Sequence, residues 1–293
     1  MKTSRIIFAL FVLLLITGTG NAQKKNSSSP FFFIQVTDPQ FGFFESNNGF
    51  GKETELYEKA VNAINRLNPD FVVITGDLVN NKDDRSQIAE FKRITAKINS
   101  KTPVYYSPGN HDIGQSPTQK DIDSFISDYG HAKFAFKNKH SLFIGLNSCL
   151  IKSNTPVLEQ LQFDWLKKEL PKGKRAKHII LFCHYPFFIN AFDEPETYSN
   201  IPVETRNRYL SLFKEYNVDA VFAGHLHNNG FARYGNTEMV TTSAVGKSLA
   251  KAPSGIRIVK VYSDRIESAY FGLDEIPETI IFDDIMEIMK YTN

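Results

Sequence analysis

Five short polar clusters, each placed where an apolar run ends, contain residue types that bind metal ions. They are Asp38-Pro39-Gln40, Gly76-Asp77, Gly109-Asn110-His111-Asp112, His184 and Gly224-His225-Leu226-His227. Each cluster follows a stretch that is typical of a buried strand, so a parallel sheet can bring all five to one edge. Carboxylate, amide and imidazole groups around two ions favour the hydrolysis of a phosphate ester.

The clusters supply enough ligands for two ions that share one carboxylate. The predicted ligands are Asp38, Gln40 and His227 for one ion, Asn110, His184 and His225 for the other, and Asp77 for both. Each cluster alone also fits an ordinary turn, a helix cap or a buried histidine, and only the order of all five favours a shared site. The mixed ligand set suits manganese, iron or zinc and does not choose among these metals.

The remaining polar residues of the third cluster predict a catalytic acid. Two ions are expected to lower the pKa of a bridging water, so that hydroxide attacks phosphorus in line. His111 is then expected to protonate the leaving alkoxide, and Asp112 is expected to orient the His111 ring.

The first third of the chain alternates between strand-like and helix-like segments. The predicted order is a strand at 31–36, a helix at 53–67, a strand at 71–75, a helix at 86–98 and a strand at 104–107. This alternation is typical of a parallel sheet. The alternation is weaker afterwards, with a predicted hairpin of 133–137 and 141–146 joined by Asn138-Lys139, helices at 158–170 and 205–216, and strands at 179–182 and 220–223.

The segments 186–202 and 277–291, and the aromatic residues near the ligand loops, each fit more than one role. The stretch 186–202 directly follows His184 and is long enough for a lid, and its acidic residues would repel anionic substrates unless Arg206 or Arg208 offsets them. Phe43, Phe44 and the aromatic residues at 185, 187 and 188 flank these loops, either as pocket walls or as ordinary packing. The tail 277–291 has a helical apolar face that is expected to dock on the core, and a membrane or partner surface is the alternative.

The N-terminus has the layout of a secretory signal. Lys2 and Arg5 precede an apolar run from Ile6 to Ile16, and small residues end at Ala22, where cleavage is expected. The run is too short to span a membrane. We therefore expect export, with a signal at 1–22, a flexible lead-in at 23–29 and a single domain at 30–293. Without residues 1–22, 32 basic residues balance 32 acidic ones, which argues against a nucleic-acid partner.

The two cysteines, Cys149 and Cys183, both lie near the ends of strand-like runs. An oxidising compartment would pair them if those strands were neighbours. A chain of this size does not need a disulfide, and two buried free thiols are the preferred interpretation.

The order Asp-x-Gln, Gly-Asp, Gly-Asn-His-Asp, His and Gly-His-x-His resembles the calcineurin-like metallophosphoesterase superfamily over about residues 31–274. Asp38 to Gly42, His184-Tyr185-Pro186 and Thr242 to Gly246 look like the calcineurin-like phosphoesterase-domain-containing proteins, described as serine/threonine phosphatases. The resemblance implies an α/β fold, a four-layer sandwich of two mixed sheets flanked by helices.

Three departures from related groups are visible. Many superfamily members have histidine where Gln40 stands, so the first ion is expected to be held less tightly or chosen differently. The arginine of calcineurin-type phosphatases is replaced by Asn80 and Asn81, and the tyrosine ligand of purple acid phosphatases is missing after Gly76-Asp77.

The leading expectation is a phosphomonoesterase with a phosphate-ester substrate. A phosphodiesterase is the nearest alternative, because the same cluster hydrolyses either ester. A non-catalytic protein with a metal-supported fold is the alternative from another class, and the complete ligand set with His111 argues against it. Nothing in the sequence indicates the oligomeric state.

Overall fold

The computed structural model describes residues 29–282, and its strands run through the whole of this range. They are β1 (Phe31–Val36), β2 (Val72–Thr75), β3 (Val104–Ser107), β4 (Phe134–Asn138), β5 (Ser141–Gly145), β6 (His178–Phe182), β7 (Ala220–Ala223), β8 (Gly230–Tyr234), β9 (Thr237–Thr241), β10 (Gly255–Val261) and β11 (Ile266–Gly272).

The helices lie between these strands. They are α1 (Gly51–Leu67), α2 (Arg85–Thr95), α3 (Asn110–Ile113), α4 (Gln119–Tyr129), α5 (Ser148–Ser153), α6 (Pro156–Glu169) and α7 (Val203–Glu215), and a 3-10 turn follows α6 at Leu170–Gly173. Local chemistry sets several of the boundaries. Asp84 accepts hydrogen bonds from the backbone of Ser86 and Gln87 at the start of α2, and Asn68 ends α1 in a left-handed conformation.

The strands form two mixed sheets. The first has the order β11-β10-β1-β2-β3, in which β1, β2 and β3 are parallel and β10 and β11 are antiparallel to their neighbours. The second has the order β4-β5-β6-β7-β9-β8, with β5, β6, β7 and β9 parallel and antiparallel strands at both edges. In both sheets the parallel strands end at the side where the polar clusters follow.

Alternate residues of β1 and β5 face different layers. Phe31 and Phe33 contact Phe143, and they belong to an aromatic cluster that also contains residues of β6 and β7. Phe32 and Ile34 instead belong to the cluster that contains the apolar residues of α1 and α2. The two sheets therefore face each other and helices cover their outer sides, which confirms the predicted four-layer fold. Burial of each such phenylalanine contributes roughly 1.5–3 kcal/mol.

One buried amide ties the two sheets together just beneath the polar clusters. Gln35 in β1 donates hydrogen bonds to the Thr75 hydroxyl at 2.9 Å and to the Ala223 carbonyl at 3.1 Å. Its own oxygen accepts a hydrogen bond from Thr242 at 2.7 Å. Because Thr75 and Ala223 end strands in different sheets, this contact fixes the relative position of the two strand ends.

The structure differs from the sequence predictions in several segments. The hairpin of β4 and β5 turns at Lys139-His140, one residue later than predicted. The sequence did not predict the helices α3, α4 and α5. Of these, α3 and α5 are too short to show a periodic pattern. The predicted tail helix is absent from 277–282, and its remainder lies outside the described residues, as do the predicted signal and residues 23–28.

Two further expectations concern the cysteines and the membrane. Cys149 and Cys183 are both free and buried, which confirms the preferred interpretation. Burial raises the pKa of the Cys183 thiol, so it stays protonated. Within residues 29–282, the helices are either too short or too polar to span a bilayer.

Candidate metal centre

All five polar clusters lie just beyond the carboxyl ends of parallel strands. Asp38 and Gln40 follow β1, Asp77 follows β2, and Asn110 begins α3 after β3. The histidines come from the other sheet: His184 follows β6, and His225 and His227 follow β7. The strand ends of the two sheets thus supply the site from opposite sides.

The backbone at the site is unusual. A left-handed conformation with positive φ occurs at five of the predicted ligands, namely Asp38 (50°), Gln40 (39°), Asp77 (47°), His225 (72°) and His227 (50°). For residues other than glycine this region costs about 1 kcal/mol or more each, and it persists where the surroundings impose it. In a strand, successive side chains point to opposite faces. The turns at these residues instead direct neighbouring polar side chains toward the same site.

Two glycines allow the clusters to approach each other closely. A Cβ atom on Gly109 would collide with the side chain and backbone nitrogen of Asp77. A Cβ atom on Gly224 would collide with the Thr37 hydroxyl and come within 2.7 Å of the Asp38 carboxylate. These positions therefore require glycine because another segment of the site occupies the side-chain space.

The ligating side chains form two overlapping groups. The atoms of Asp77, His184 and His225 lie within 4.8 Å of one another, and so do those of Asp38, Asp77 and His227. Asp77 belongs to both groups, with its Oδ2 atom 3.3 Å from His184 Nε2. This is the arrangement expected for two ions that share one carboxylate.

The two amide residues lie beside these groups. The Asn110 Oδ1 atom is 3.1 Å from His184 Nε2, which places it with the second group. The backbone nitrogen of Gln40 donates to the Asp77 carbonyl at 2.8 Å, which places Gln40 beside the residue that both groups share. The structure therefore brings all seven predicted ligands together.

Unpartnered oxygens test whether cations fit here. Asp38 Oδ1 and Gln40 Oε1 are buried and have no hydrogen-bond partner within residues 29–282. Gln40 uses its nitrogen to donate to Asn80 Oδ1 at 3.1 Å, which leaves its oxygen free as an acceptor. A buried oxygen without a donor is costly, and a cation removes that cost. The residues present therefore fit a dinuclear metal centre.

Backbone carbonyls set the tautomers of two imidazoles. His184 Nδ1 donates to the Thr75 carbonyl at 2.9 Å, and His227 Nδ1 donates to the Lys247 carbonyl. The Nε2 atoms of both rings are then available as ligands. Such second contacts are common for metal-binding histidines because they hold the ring in one orientation.

Buried charges at the site perturb one another. Burial opposes ionisation of Asp77, but the adjacent His184 outweighs it and lowers the pKa of Asp77. Burial likewise opposes the charge on His184, yet Asp77 and then Asp38 raise its pKa to about 9. Burial and the charge of His184 lower the pKa of His225 to about 3. Carboxylates packed this closely favour cations between them.

His111 lies at the rim and is held by a backbone group. Its Nδ1 atom is 2.9 Å from the Asn80 carbonyl, and its backbone nitrogen donates to Asp77 Oδ1 at 2.8 Å. His111 is thus held beside the Asp77 carboxylate, and the contact with Asn80 does not use its Nε2 atom.

The predicted orienting role of Asp112 is wrong. Its carboxylate accepts hydrogen bonds from the backbone nitrogens of Leu78 (2.8 Å), Val79 (3.3 Å) and Gly109 (2.8 Å). Burial, followed by the charge of Asp77, raises the pKa of Asp112 to about 8. Asp112 therefore joins the loops after β2 and β3, whereas the Asn80 carbonyl orients His111.

Asn80 contacts two of the predicted site residues, which the sequence did not reveal. Its side-chain oxygen holds Gln40, its carbonyl holds His111, and its Nδ2 atom donates to Asn47 at 2.8 Å. The available signal is its position three residues after Asp77, in the segment where the arginine of calcineurin-type phosphatases is absent. One asparagine thus positions a predicted ligand and the predicted acid.

The segment 186–202 is a tightly folded loop. Arg206 is fully buried and donates to the carbonyls of Ile201 (2.8 and 3.1 Å), Phe192 (2.9 Å) and Glu194 (2.7 Å). Arg208 is paired with Glu159 at 2.7 Å. Arg208 is thus engaged outside the loop, whereas Arg206 lies close to the charges of Glu194, Glu196 and Asp193 and offsets part of the acidity from within the loop.

The aromatic residues near the ligand loops divide into two kinds. Phe187 and Phe188 are buried in the core, as ordinary packing predicts. Phe43 and Phe44 are partly exposed, and the Phe43 ring lies 5.4 Å from that of His227. The Lys247 ammonium lies over both rings at 5.2 and 5.5 Å, so this rim carries a positive charge.

Known proteins resemble this chain in sequence and in fold. The sequence model described as calcineurin-like phosphoesterase matches residues 33–229. The serine/threonine-protein phosphatase CPPED1 of Homo sapiens is 35% identical over 290 residues, which cover 92% of this chain and 92% of that protein.

Two solved structures share the fold at low sequence identity. Purple acid phosphatase PPD1 from yellow lupin superposes with a TM-score of 0.65 at 16% identity, covering 85% of this chain and 52% of that one. A dimetal phosphatase from Danio rerio superposes with a TM-score of 0.60 at 16% identity, covering 84% and 97%. The chain belongs to the calcineurin-like phosphoesterase family, with strong homology to CPPED1 phosphatases, and is a metal-dependent phosphoric ester hydrolase.

Proposed function

We propose that the chain is an exported phosphatase that hydrolyses phosphate monoesters at a dinuclear metal centre. The observation that carries the proposal is the sharing of Asp77 between two groups of ligands. A single metal site needs no shared carboxylate, whereas two cations about 3.5–4 Å apart require one or more bridging ligands.

Two cations in these positions would supply Lewis acidity, activating a water and balancing the charge on the phosphoryl oxygens. Asp38, Gln40 and His227 would hold one position and Asn110, His184 and His225 the other. His111 would donate a proton from Nε2 to the leaving alkoxide oxygen, since its Nδ1 atom is engaged with Asn80. Lys247 adds positive charge near the first position and favours an anionic substrate.

The direct test joins metal analysis with a comparison of two esters. The purified protein is expected to contain about two metal ions per chain and to cleave p-nitrophenyl phosphate at least about tenfold more efficiently than bis-p-nitrophenyl phosphate. The opposite ratio would make the protein a phosphodiesterase. Metal-replete protein that releases no product from any phosphate ester would support a non-catalytic role.

Replacing His111 with alanine is expected to lower kcat about 10²-fold while the metal content stays at the wild-type value. The reason is that the ring supplies a proton but lies outside both ligand groups. Turnover and metal content are measured on the same samples. The matched control is His140→Ala in the turn between β4 and β5, which should retain activity. Loss of metal from His111→Ala would contradict this role.

Export is a separate part of the proposal. Its support is the basic, apolar and small-residue order of residues 1–22. N-terminal sequencing of protein recovered outside the cytoplasm should give a first residue near Gln23. An intact Met1 on the active protein, found only in the cytoplasm, would contradict export without affecting the proposed chemistry.

A further inference from the structure

Two tyrosine side chains meet His225 at the rim of the metal centre. The ring centroid of Tyr185 lies 4.1 Å from that of His225, and that of Tyr198 lies 5.1 Å from it. Tyr185 follows the predicted ligand His184 directly, whereas Tyr198 belongs to the loop 186–202. The two phenols interact with each other, and Tyr198 also interacts with Asn110. Both phenols therefore lie on the side of the second ligand group.

The hydroxyl of Tyr185 is buried and lies beside that of Tyr198. Apart from this neighbour, its oxygen has no hydrogen-bond partner of standard geometry within the part of the chain that the structure describes. Buried hydroxyls normally form hydrogen bonds, so one with spare capacity at the edge of the site can bind a ligand. A phenol hydroxyl is an uncharged group that can donate a hydrogen bond. A donor of this kind suits an anionic oxygen.

The position of Tyr198 is fixed although its side chain is 56% exposed. Lys152 in α5 donates to the carbonyls of Thr197 and Asn200, on either side of Tyr198. The Asn200 side chain accepts a hydrogen bond from the Thr197 nitrogen at 2.7 Å and donates to Glu194 at 2.7 Å. These contacts hold the loop in one shape, so the phenol is placed before a substrate arrives.

Phosphate monoesters and diesters differ in the number of non-bridging oxygens that the two phenols can bind. A phosphate monoester has three non-bridging oxygens, and a diester has two. Two cations can each take one of these oxygens, which leaves a third only on a monoester. Neutral hydroxyls at the rim can donate to that third oxygen, and hydrogen bonds to a charged acceptor are stronger than neutral ones.

We propose that Tyr198, together with Tyr185, binds the third non-bridging oxygen of a phosphate monoester and so gives the site its preference for monoesters over diesters. This inference rests on the proposed phosphoesterase function, and it identifies the residues that distinguish monoesters from diesters. Tyr198 is the residue to test, because it is exposed and its removal leaves the core intact.

The test compares Tyr198→Phe, which removes only the hydroxyl, with the wild-type protein at equal metal content. The KM for p-nitrophenyl phosphate and the Kd for inorganic phosphate by calorimetry are both expected to rise about tenfold, the effect of losing a hydrogen bond to a charged group. The kinetic constants for bis-p-nitrophenyl phosphate are expected to change less than twofold. Phe192→Ala is the control, since Phe192 is exposed on the same loop but contacts Tyr234.

Two outcomes would overturn the inference. Unchanged phosphate affinity in Tyr198→Phe would show that the hydroxyl does not bind the anion. Equal losses for both esters would show that the phenol acts on oxygens that every ester has, and not on the third oxygen. Tyr198→Ala provides a second variant, and its phosphate Kd should rise at least as much as that of Tyr198→Phe.

Failure of the proposed function would give a different result. Wild-type protein that binds two metals but cleaves neither ester would refute the phosphatase function. Calorimetry with inorganic phosphate would still decide whether Tyr198 binds a phosphate group, because this measurement does not need turnover.

Discussion

Replacing Asp77 with asparagine is expected to abolish hydrolysis of phosphate esters, with a fall in kcat of at least about 10³-fold. Asp77 is the one residue shared by both groups of ligands, so a single substitution weakens both metal positions. Asparagine tolerates the left-handed conformation that Asp77 adopts at φ 47°, and it can still accept the hydrogen bond from the His111 nitrogen. The fall in kcat would therefore result from the loss of the carboxylate charge and not from a change in the backbone turn.

Metal content is the second measurement for this variant. Asp77→Asn is expected to retain fewer than two ions per chain after dialysis, with unchanged far-UV circular dichroism. Asp164→Asn is the matched control, because Asp164 lies on the exposed side of α6, where it accepts a hydrogen bond from Gln160. A variant with two tightly bound ions and near wild-type turnover would show that Asp77 does not bridge the metals.

Replacing Arg206 with alanine is expected to lower the free energy of unfolding by about 4 kcal/mol, since four donated hydrogen bonds of about 1 kcal/mol each are lost. The carbonyls of Phe192 and Glu194 lose their donor, and a cavity remains where the guanidinium was buried. At this chain length the thermal midpoint should fall by roughly 10 °C, measured by calorimetry or circular dichroism.

An exposed arginine provides the comparison for Arg206. Arg85 makes two hydrogen bonds of 2.7 Å to Asp128, but its side chain is 69% exposed. Arg85→Ala should therefore cost at most about 1 kcal/mol. Equal costs for the two substitutions would contradict the idea that Arg206 holds the loop. Because Tyr198 lies on this loop, Arg206→Ala should also raise the KM for p-nitrophenyl phosphate.

The proximity of the five polar clusters could be predicted from the sequence because each follows a short apolar run. Parallel strands end at the same edge, so residues as distant as Asp38 and His227 meet without any knowledge of the loops between them. The fold class followed from the same alternation. Family resemblance then added the second sheet and the four layers, which hydropathy alone does not distinguish from a single open sheet.

Contacts of individual loop residues could not be predicted. Asp112 stands next to His111 in the sequence, yet its carboxylate binds three backbone nitrogens of two different loops. Asn80 stands where calcineurin-type phosphatases have an arginine. Its backbone carbonyl positions His111, and its side-chain oxygen positions Gln40. Arg206 could have faced a substrate, but it is buried inside the loop 186–202, where it donates hydrogen bonds to backbone carbonyls. Most of these partners are backbone groups, and the one contact between side chains joins Asn80 to Gln40, which is distant in the sequence. Neither kind of contact leaves a pattern in the sequence.

The left-handed turns at Asp38 and His225 have a consequence for protein engineering. Glycine adopts this conformation without the steric cost of a Cβ atom, so rules based on backbone conformation alone would select both positions for substitution. At Asp38 the change would remove a predicted metal ligand and also the carboxylate that accepts hydrogen bonds from the Thr37 hydroxyl and the His225 nitrogen. Libraries for this protein should keep both positions fixed and draw their stabilising changes from solvent-facing helices such as α6.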